Sequence, residues 1–236
     1  MTPLSNNARV AGLVYLSLVL IGPVRLIYIP ATLFVTDDAS ATATSIAAHE
    51  LLFRLGIVTE LLGGAILIFL VMALYRLFKE VGQAQAALMV VFGGIMPGVI
   101  DFINAANDAA ALILVRGADF LSVFDKSQRD ALAFLFLRLH HQVDVAAEVL
   151  WGLWLLPLAL LVLRSGFLPR LLGYWLIIAG ISYVALSFTG ELLPQSYDTV
   201  FSIGSIPRLG ELAFALWLLV MGARERIARP RTDASA

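Results

Sequence analysis

The amino-acid sequence predicts an all-α, polytopic membrane protein: a bundle of six transmembrane helices with both termini in the cytoplasm. Hydrophobic residues make up 60% of the 236 positions, charged residues make up 14%, and the mean hydropathy is +0.90. Soluble domains average about 25% charged residues, so this composition excludes an ordinary soluble domain. The net charge of −1 excludes a strongly basic nucleic-acid binder, and the absence of cysteine excludes disulfides and thiol chemistry.

Six apolar stretches are long enough to cross the hydrocarbon core, which takes about 20 helical residues. In chain order they cover residues 9 to 29, 51 to 77, 84 to 114, 130 to 163, 171 to 190 and 206 to 223. The first is predicted to be a retained helix, because it is longer than the roughly 7–15 apolar residues of a signal peptide. The connecting residues 36 to 45 and 190 to 205 are predicted to be loops or surface helices on the outer side.

The second and fourth predicted helices, taken with their helical flanks, would each exceed about 50 Å, which is more than a bilayer requires. We therefore expect each of them to bend, to break or to extend beyond the membrane. Pro97 and Pro157 are the expected kinks, because proline removes a backbone donor from the helix. Ser127, followed by Asp130 in the first turn, is predicted to cap the start of the fourth helix.

The distribution of basic residues predicts the orientation. Nine of the sixteen lysines and arginines lie in the tails or in the two connections on the same side as the termini: Arg9, Arg76, Lys79, Arg164, Arg170, Arg224, Arg226, Arg229 and Arg231. The positive-inside rule places that side in the cytoplasm. Residues 1 to 223 are predicted to form a single six-helix membrane domain. Residues 224 to 236 are predicted to form a short, basic, disordered cytoplasmic tail.

The fourth predicted helix carries a stripe of ionisable side chains that recur every three or four residues, namely Arg138, His141, Asp144 and Glu148. They fall within an arc of about 120° on one helix face. A charged residue at the centre of a membrane helix costs about 2.5–3.5 kcal/mol, so the stripe should face the bundle interior or a hydrated cavity. His140 points about 100° away from His141, towards Asp144, which predicts different roles for the two histidines.

Other predicted spans supply partners for this stripe. In the third span, Asp101, Asn104 and Asp108 share one face, and we expect it to meet the stripe of the fourth helix or a cavity shared with it. The remaining ionisable residues of the outer half are Arg25, Glu50, Arg54, Glu60, Glu191, Arg208 and Glu211. Together the spans hold four arginines and eight carboxylates. The surplus acids should be protonated, solvated or compensated by a bound cation or amine.

These residues predict an outward-opening polar cavity between spans two, three, four and six. It would bind or transport a small solute, a lipid headgroup or a cation, with proton coupling as an added capacity. The predicted ligand-binding residues are Glu60, Asp101, Asn104, Asp108, Arg138, His141, Asp144, Glu148, Arg54, Arg208 and Glu211. The expected partners are the lipid bilayer and a small-molecule or lipid ligand, without nucleic acid.

Two alternatives stay open. The first is an intramembrane hydrolase or transferase in which His140 or His141 acts as a base oriented by Asp144 or Glu148. The second is a structural subunit in which arginine–carboxylate pairs lock helices together. These histidines and acids are possible metal ligands, but no metal or cofactor is predicted, since no H-E-x-x-H or similar signature is present.

Three stretches resemble a known family: "ELLFRLGI" at 50 to 57, "LSVFDKSQRDALAFLFLRLH" at 121 to 140 and "SGFLPRLLG" at 165 to 173. They are similar to a bacterial family of integral membrane proteins known as domain-of-unknown-function family 4386, over roughly residues 8 to 223. The resemblance implies a multi-helical protein of the bacterial cytoplasmic membrane, and it implies no activity. His140 matches the family pattern, whereas Trp154 occupies the region where members often carry a second histidine.

Overall fold

A computed structural model of the protein describes residues 3 to 223, and the predicted cytoplasmic tail lies outside this range. The described residues form α-helices joined by short turns, with no β-strand among them. In chain order the α-helices are α1 (Pro3–Pro23), α2 (Ile29–Leu33), α3 (Ala39–Ala48), α4 (Glu50–Phe78), α5 (Gln83–Val90), α6 (Met96–Arg116), α7 (Lys126–Leu153), α8 (Leu155–Ser165), α9 (Arg170–Leu192) and α10 (Tyr197–Val220).

Six helical stretches of the described chain are long and apolar enough to cross a membrane. They are Leu4–Leu33, Glu50–Phe78, Gln83–Arg116, Lys126–Ser165, Arg170–Leu192 and Pro194–Val220. The prediction of an all-α, six-span bundle is therefore confirmed. Helix α10 already begins at Tyr197, within the connection predicted at 190 to 205, so the sixth span is longer than its apolar core suggests.

The expected breaks in the two longest helices are present. In the fourth span, α7 and α8 are separated at Trp154, three residues before Pro157. The proline nitrogen cannot donate to the carbonyl of Leu153, so the helical hydrogen-bond ladder is interrupted there. Before the second span, α3 and α4 meet at His49, whose backbone leaves the helical region with φ −122° and ψ 40°.

Two other spans contain a π-helical turn beside a proline. The turn Val24–Tyr28 joins α1 to α2, where Pro30 is the second residue, and the turn Val91–Ile95 joins α5 to α6, where Pro97 is the second residue. A π turn shifts the hydrogen bonds from i→i+4 to i→i+5 and is often found at functional sites. The first of these turns carries Arg25.

The predicted cap of the fourth span was wrong by two residues. Helix α7 begins at Lys126, and its N-cap is Asp125, whose side chain accepts from the backbone N–H of Gln128 at 2.9 Å. The Gln128 side chain accepts in return from the Asp125 backbone N–H at 3.0 Å, and the Ser127 hydroxyl donates to Asp125 at 2.7 Å. These bonds, with that of Gln128 the strongest, hold the pKa of Asp125 below its ordinary value. Asp130 instead accepts from Lys126 at 2.6 Å.

The packing order of the helices determines where the polar residues meet. Helix α6 packs against both α4 and α7, α1 packs against α4 and α10, and α9 packs against α7 and α10. Glycines permit close approach between α7 and α9, where a Cβ on Gly152 would overlap the backbone oxygen of Gly180. The polar faces of the second, third and fourth spans are thereby turned towards one another and towards the π turn of the first.

Candidate functional site

Seven polar side chains from the first four spans meet inside the bundle, and we call them the central cluster: Arg25, Glu60, Asp101, Asn104, Asp108, His140 and Asp144. Along the third span, Asp101 is about 27 Å from the end at Gln83 and about 23 Å from the end at Arg116, taking 1.5 Å per residue. Asp101 therefore lies near the middle of the third span.

On one side of the central cluster, Arg25 links the first three spans. Its guanidinium donates to Glu60 Oε1, and the same Nη1 atom lies 3.6 Å from Asp101 Oδ1. The Glu60 residue is 1% exposed and Asp101 is 8% exposed. One buried cation thus faces two buried carboxylates. The π turn places this cation within reach of both α4 and α6.

On the other side, α6 and α7 are joined by two bonds between residues one turn apart on each helix. His140 Nδ1 donates to Asp108 Oδ1 at 2.8 Å, and Asn104 Nδ2 donates to Asp144 Oδ1 at 2.8 Å. The remaining ring nitrogen, His140 Nε2, lies 3.4 Å from Asp144 Oδ2. Because an ionised carboxylate can only accept, the bond to Asp108 assigns a proton to Nδ1. The polar face of the third span therefore meets His140 and Asp144, of which Asp144 alone belongs to the predicted stripe of the fourth helix.

The two sides of the central cluster meet at three side chains. Glu60, His140 and Asp144 each offer an atom that could ligate a metal ion, and these atoms lie within 4.8 Å of one another. Two buried acceptor atoms close to this point, Glu60 Oε2 and Asn104 Oδ1, have no hydrogen-bond partner among the described residues. The three side chains can therefore bind a positively charged group. The central cluster also contains two acceptor atoms for which it provides no hydrogen-bond donor.

Two of the predicted acids belong to a separate group of polar residues around the sixth span. Glu148 accepts from the Tyr197 hydroxyl at 2.8 Å, and Glu211 accepts from the Tyr15 hydroxyl. We call this group, completed by Tyr183, Phe201 and Arg208, the sixth-span cluster. No hydrogen bond or ion pair among the described residues joins it to the central cluster, so the predicted residues that are buried or half-buried fall into two groups.

Arg208 is held in the sixth-span cluster chiefly by aromatic rings. Its guanidinium carbon lies 4.4 Å from the centre of the Phe201 ring and 5.4 Å from that of Tyr183, and Nη2 donates to the Phe201 carbonyl at 2.7 Å. A guanidinium over an aromatic face gains a cation–π attraction. The buried Nη1 atom has no acceptor within the described part of the chain.

Three predicted ligand-binding residues lie on the surface. Arg54 donates to Glu50 at 2.7 Å, with its side chain 45% exposed. Arg138 pairs with Asp37 in the turn before α3, and its side chain is 53% exposed. His141 is exposed and packs edge-on against a tyrosine ring. The structure therefore brings none of the three into the central cluster.

The profile of a family described as Domain of unknown function (DUF4386) matches residues 10–222. The chain belongs to the DUF4386 family. Comparisons with curated proteins and with solved structures gave no match. The family description carries no activity, so the function of this DUF4386 protein has to be argued from its side chains.

Two residues of the central cluster, Arg25 and His140, were missing from the predicted ligand-binding set of this DUF4386 protein, and His140 was predicted only as a candidate base. Arg25 was counted among the membrane arginines, but it was not assigned to the site. A signal was available in the sequence, because Arg25 is the only charged residue between positions 10 and 36, and it lies between Pro23 and Pro30. Prolines that close together favour an irregular backbone, and irregular backbone at membrane depth is found where it lines polar groups.

The expected outward-opening cavity is not shown by the structure of this DUF4386 protein. Of the pockets in the described region, the two best formed have volumes of about 240 and 220 Å³. The first is lined by Ile113, Arg116 and Ala118, and the second by the turn at residues 166 to 169. Neither lining includes a member of the central cluster, whose side chains are packed against one another.

Proposed function

We propose that this protein is a multi-pass protein of the bacterial cytoplasmic membrane, with a single six-helix domain and both termini in the cytoplasm, that binds a small cation at the central cluster. The observation that carries the proposal is the charge of the cluster. Four carboxylates, those of Glu60, Asp101, Asp108 and Asp144, face one arginine and one histidine. Two or three negative charges therefore remain, depending on whether the histidine is protonated.

Such an imbalance is expensive at membrane depth. An ionised side chain at the bilayer centre costs at least about 2.5 kcal/mol, and burial without a partner adds to that cost. Protons or a bound cation can neutralise the excess. A cation also satisfies acceptors such as Glu60 Oε2 and Asn104 Oδ1, which have no donor in the described chain.

The packing of the cluster favours a small ion over a solute or a lipid headgroup. Glu60 and Asn104 are 1% and 0% exposed, so a large ligand could reach them only if the side chains packed around them rearranged. The side chains of His140 and Asp144 are 18% and 15% exposed, and they supply the access that a single ion needs. The same carboxylates can carry protons when the ion is absent, which is the basis for proton coupling.

The hydrolase alternative has less support from these contacts. It predicts His140 as a base oriented by Asp144, and His140 Nε2 does lie 3.4 Å from Asp144 Oδ2. The side-chain partners of His140 in the described chain are two aspartates, however, so the attacking nucleophile would have to be a water molecule or a substrate group. The structural alternative predicts that the central cluster needs no ion. An experiment that measures the effect of ions on stability therefore distinguishes cation binding from a purely structural role.

The test is a thermal-unfolding screen of the purified protein in one detergent, with Na⁺, K⁺, Mg²⁺, Ca²⁺, Mn²⁺ and Zn²⁺ added singly. A cation that binds only the folded state stabilises it by about 2.7 kcal/mol at a concentration one hundred times its Kd. We expect at least one cation to raise the melting temperature of the wild-type protein. Asp144→Asn should lose that response.

Asp37→Asn is the matched control, because it makes the same chemical change in an exposed turn. It should keep the full response to the cation. If no cation stabilises the wild-type protein, or if both variants respond as the wild type does, the central cluster is a structural lock and the proposal is wrong.

A further inference from the structure

We infer that the cation of the central cluster is a divalent first-row transition metal bound by Glu60, His140 and Asp144, an inference that rests on the proposed cation-binding function. The three side chains provide one imidazole nitrogen and two carboxylates within 4.8 Å of one another. This donor set suits zinc, manganese and iron(II), whereas calcium and magnesium prefer oxygen ligands alone. Three protein ligands also leave a position open for water or substrate.

The spacing of two ligand atoms already matches a metal site. His140 Nε2 and Asp144 Oδ2 are 3.4 Å apart. Two ligands at about 2.0–2.1 Å from a tetrahedral ion are about 3.3 Å apart. The two residues are separated by one helical turn on α7, so one rigid element fixes their spacing. Glu60 on α4 completes the set, because its ligand atom lies within 4.8 Å of the other two.

Each of the two ligands on α7 has a second polar atom, and a hydrogen bond between that atom and a residue on α6 orients the ligand. Asp108 accepts the Nδ1 proton of His140, which leaves Nε2 with a free lone pair. Asn104 donates to Asp144 Oδ1, which leaves Oδ2 on the side of the histidine. A carboxylate behind a metal-ligating histidine is the usual outer partner that fixes its tautomer and orientation.

Glu60 is arranged in the same way. Arg25 donates to Oε1, and Oε2 is left buried without a partner among the described residues. The residue is 1% exposed, so water does not readily supply the missing bond. An unsatisfied buried carboxylate oxygen is costly, and a metal ion would remove that cost. With a neutral histidine the cluster carries three excess negative charges, of which a divalent ion would offset two.

The competing arrangement is a doubly protonated His140 held between Asp108 and Asp144. Charge-assisted N–H···O bonds are typically about 2.7–2.9 Å long. The bond to Asp108 fits this range at 2.8 Å, but the distance to Asp144 is 3.4 Å. An imidazolium would also leave Glu60 Oε2 without a donor. The distance to Asp144 is thus closer to the spacing of two metal ligands than to that of a charge-assisted bond, and a metal-binding measurement decides between the two arrangements.

The experiment uses the full-length protein in detergent, stripped with a chelator and then titrated with Zn²⁺, Mn²⁺ or Co²⁺. Equilibrium dialysis measures the stoichiometry and affinity, and the visible absorption of Co²⁺ reports nitrogen and oxygen ligation. We expect one equivalent of metal in the wild-type protein. His140→Gln should weaken binding by at least tenfold and abolish the Co²⁺ spectrum. His141→Gln, the same change at the adjacent exposed histidine, should bind like the wild type.

A further variant tests the orienting role of the outer carboxylate and remains informative if His140→Gln does not fold. Asp108→Asn should weaken metal binding by about 10–100-fold while keeping the stoichiometry. Unchanged affinity in this variant or in His140→Gln would overturn the ligand assignment. If Na⁺ or Ca²⁺ stabilises the protein while the transition metals do not bind, the metal inference fails and the cation proposal survives. If no cation has any effect, both fail.

Discussion

Replacement of Arg25 by methionine should destabilise the protein more than any comparable change of a surface arginine. Arg25 is the positive partner of Glu60, which is 1% exposed, and it lies 3.6 Å from Asp101. Methionine keeps much of the side-chain volume and removes the charge. Breaking a buried ion pair by removing one partner costs about 3–5 kcal/mol, because the other charge is stranded.

Protonation limits the size of this loss and gives it a pH dependence. At pH 7, neutralising a carboxyl group with an ordinary pKa of about 4.3 costs about 3.7 kcal/mol, so a stranded carboxylate should cost about 3–4 kcal/mol. At pH 5 the same neutralisation costs only about 1 kcal/mol. The deficit of Arg25→Met relative to the wild type should therefore shrink as the pH falls from 7 to 5.

The assay is thermal unfolding in one detergent, followed by tryptophan fluorescence at pH 5, 6, 7 and 8. A change of 1 kcal/mol shifts the melting temperature of a chain this long by about 2–4 °C, so Arg25→Met should melt about 6–16 °C below the wild type at pH 7. Arg54→Met is the control. It breaks an exposed i,i+4 pair with Glu50, worth about 0–1 kcal/mol. Equal losses in the two variants, or a loss at Arg25 that does not change with pH, would refute the reasoning.

Three further predictions concern the cap, the helix packing and the topology. The low pKa of Asp125 means that its cap stabilises the folded state above about pH 3.9, the pKa of an unfolded aspartate, and that this contribution is lost as the pH falls below it. Asp125→Asn should accordingly flatten the decline in melting temperature between pH 6 and 3, and an unchanged slope would contradict this. Gly152→Ala should cost about 1–3 kcal/mol, because its Cβ meets the backbone of α9. Gly63→Ala, where a Cβ meets nothing within 4 Å, should be neutral or slightly stabilising in the same melting assay. Single cysteines, introduced into a chain that has none, should be labelled from the cytoplasmic side at 165 to 169 and from the outer side at 116 to 126. Labelling of both loops from one side would contradict the six-span topology.

Much of the fold could be predicted from the sequence because a membrane imposes few solutions on an apolar chain. Every backbone group has to be bonded within its own helix, so stretches of about 20 apolar residues are sufficient evidence for spans. The break near Pro157 was also accessible, since the effect of proline on a helix is local. The N-cap was missed because Ser127, Asp125 and Asp130 are all good capping residues, and only the backbone geometry selects Asp125.

The candidate site could be predicted from the sequence only in part, and for a different reason. Helical periodicity gives the direction of a side chain around one helix, but it does not identify the neighbouring helix on that side. Helix α7 packs against both α6 and α9, so two of its faces are buried. His140 consequently faces the central cluster, and Glu148 on another face joins the sixth-span cluster. Arg138 belongs to the same predicted stripe as Glu148, yet it pairs with Asp37 in the turn before α3.

The two polar clusters differ in the kind of group that each leaves without a partner. In the sixth-span cluster, the buried atoms lacking partners are Glu148 Oε2 and Arg208 Nη1, one acceptor and one donor of opposite charge. A water molecule or a small rotation could satisfy both, so this cluster needs no foreign ion. In the central cluster, the corresponding atoms are Glu60 Oε2 and Asn104 Oδ1, both acceptors. Two acceptors cannot satisfy each other. A water molecule could donate to both, but it would leave the excess negative charge of the central cluster in place. We therefore propose that a proton or a cation neutralises this cluster, with His140 favouring a metal ion that accepts nitrogen ligands.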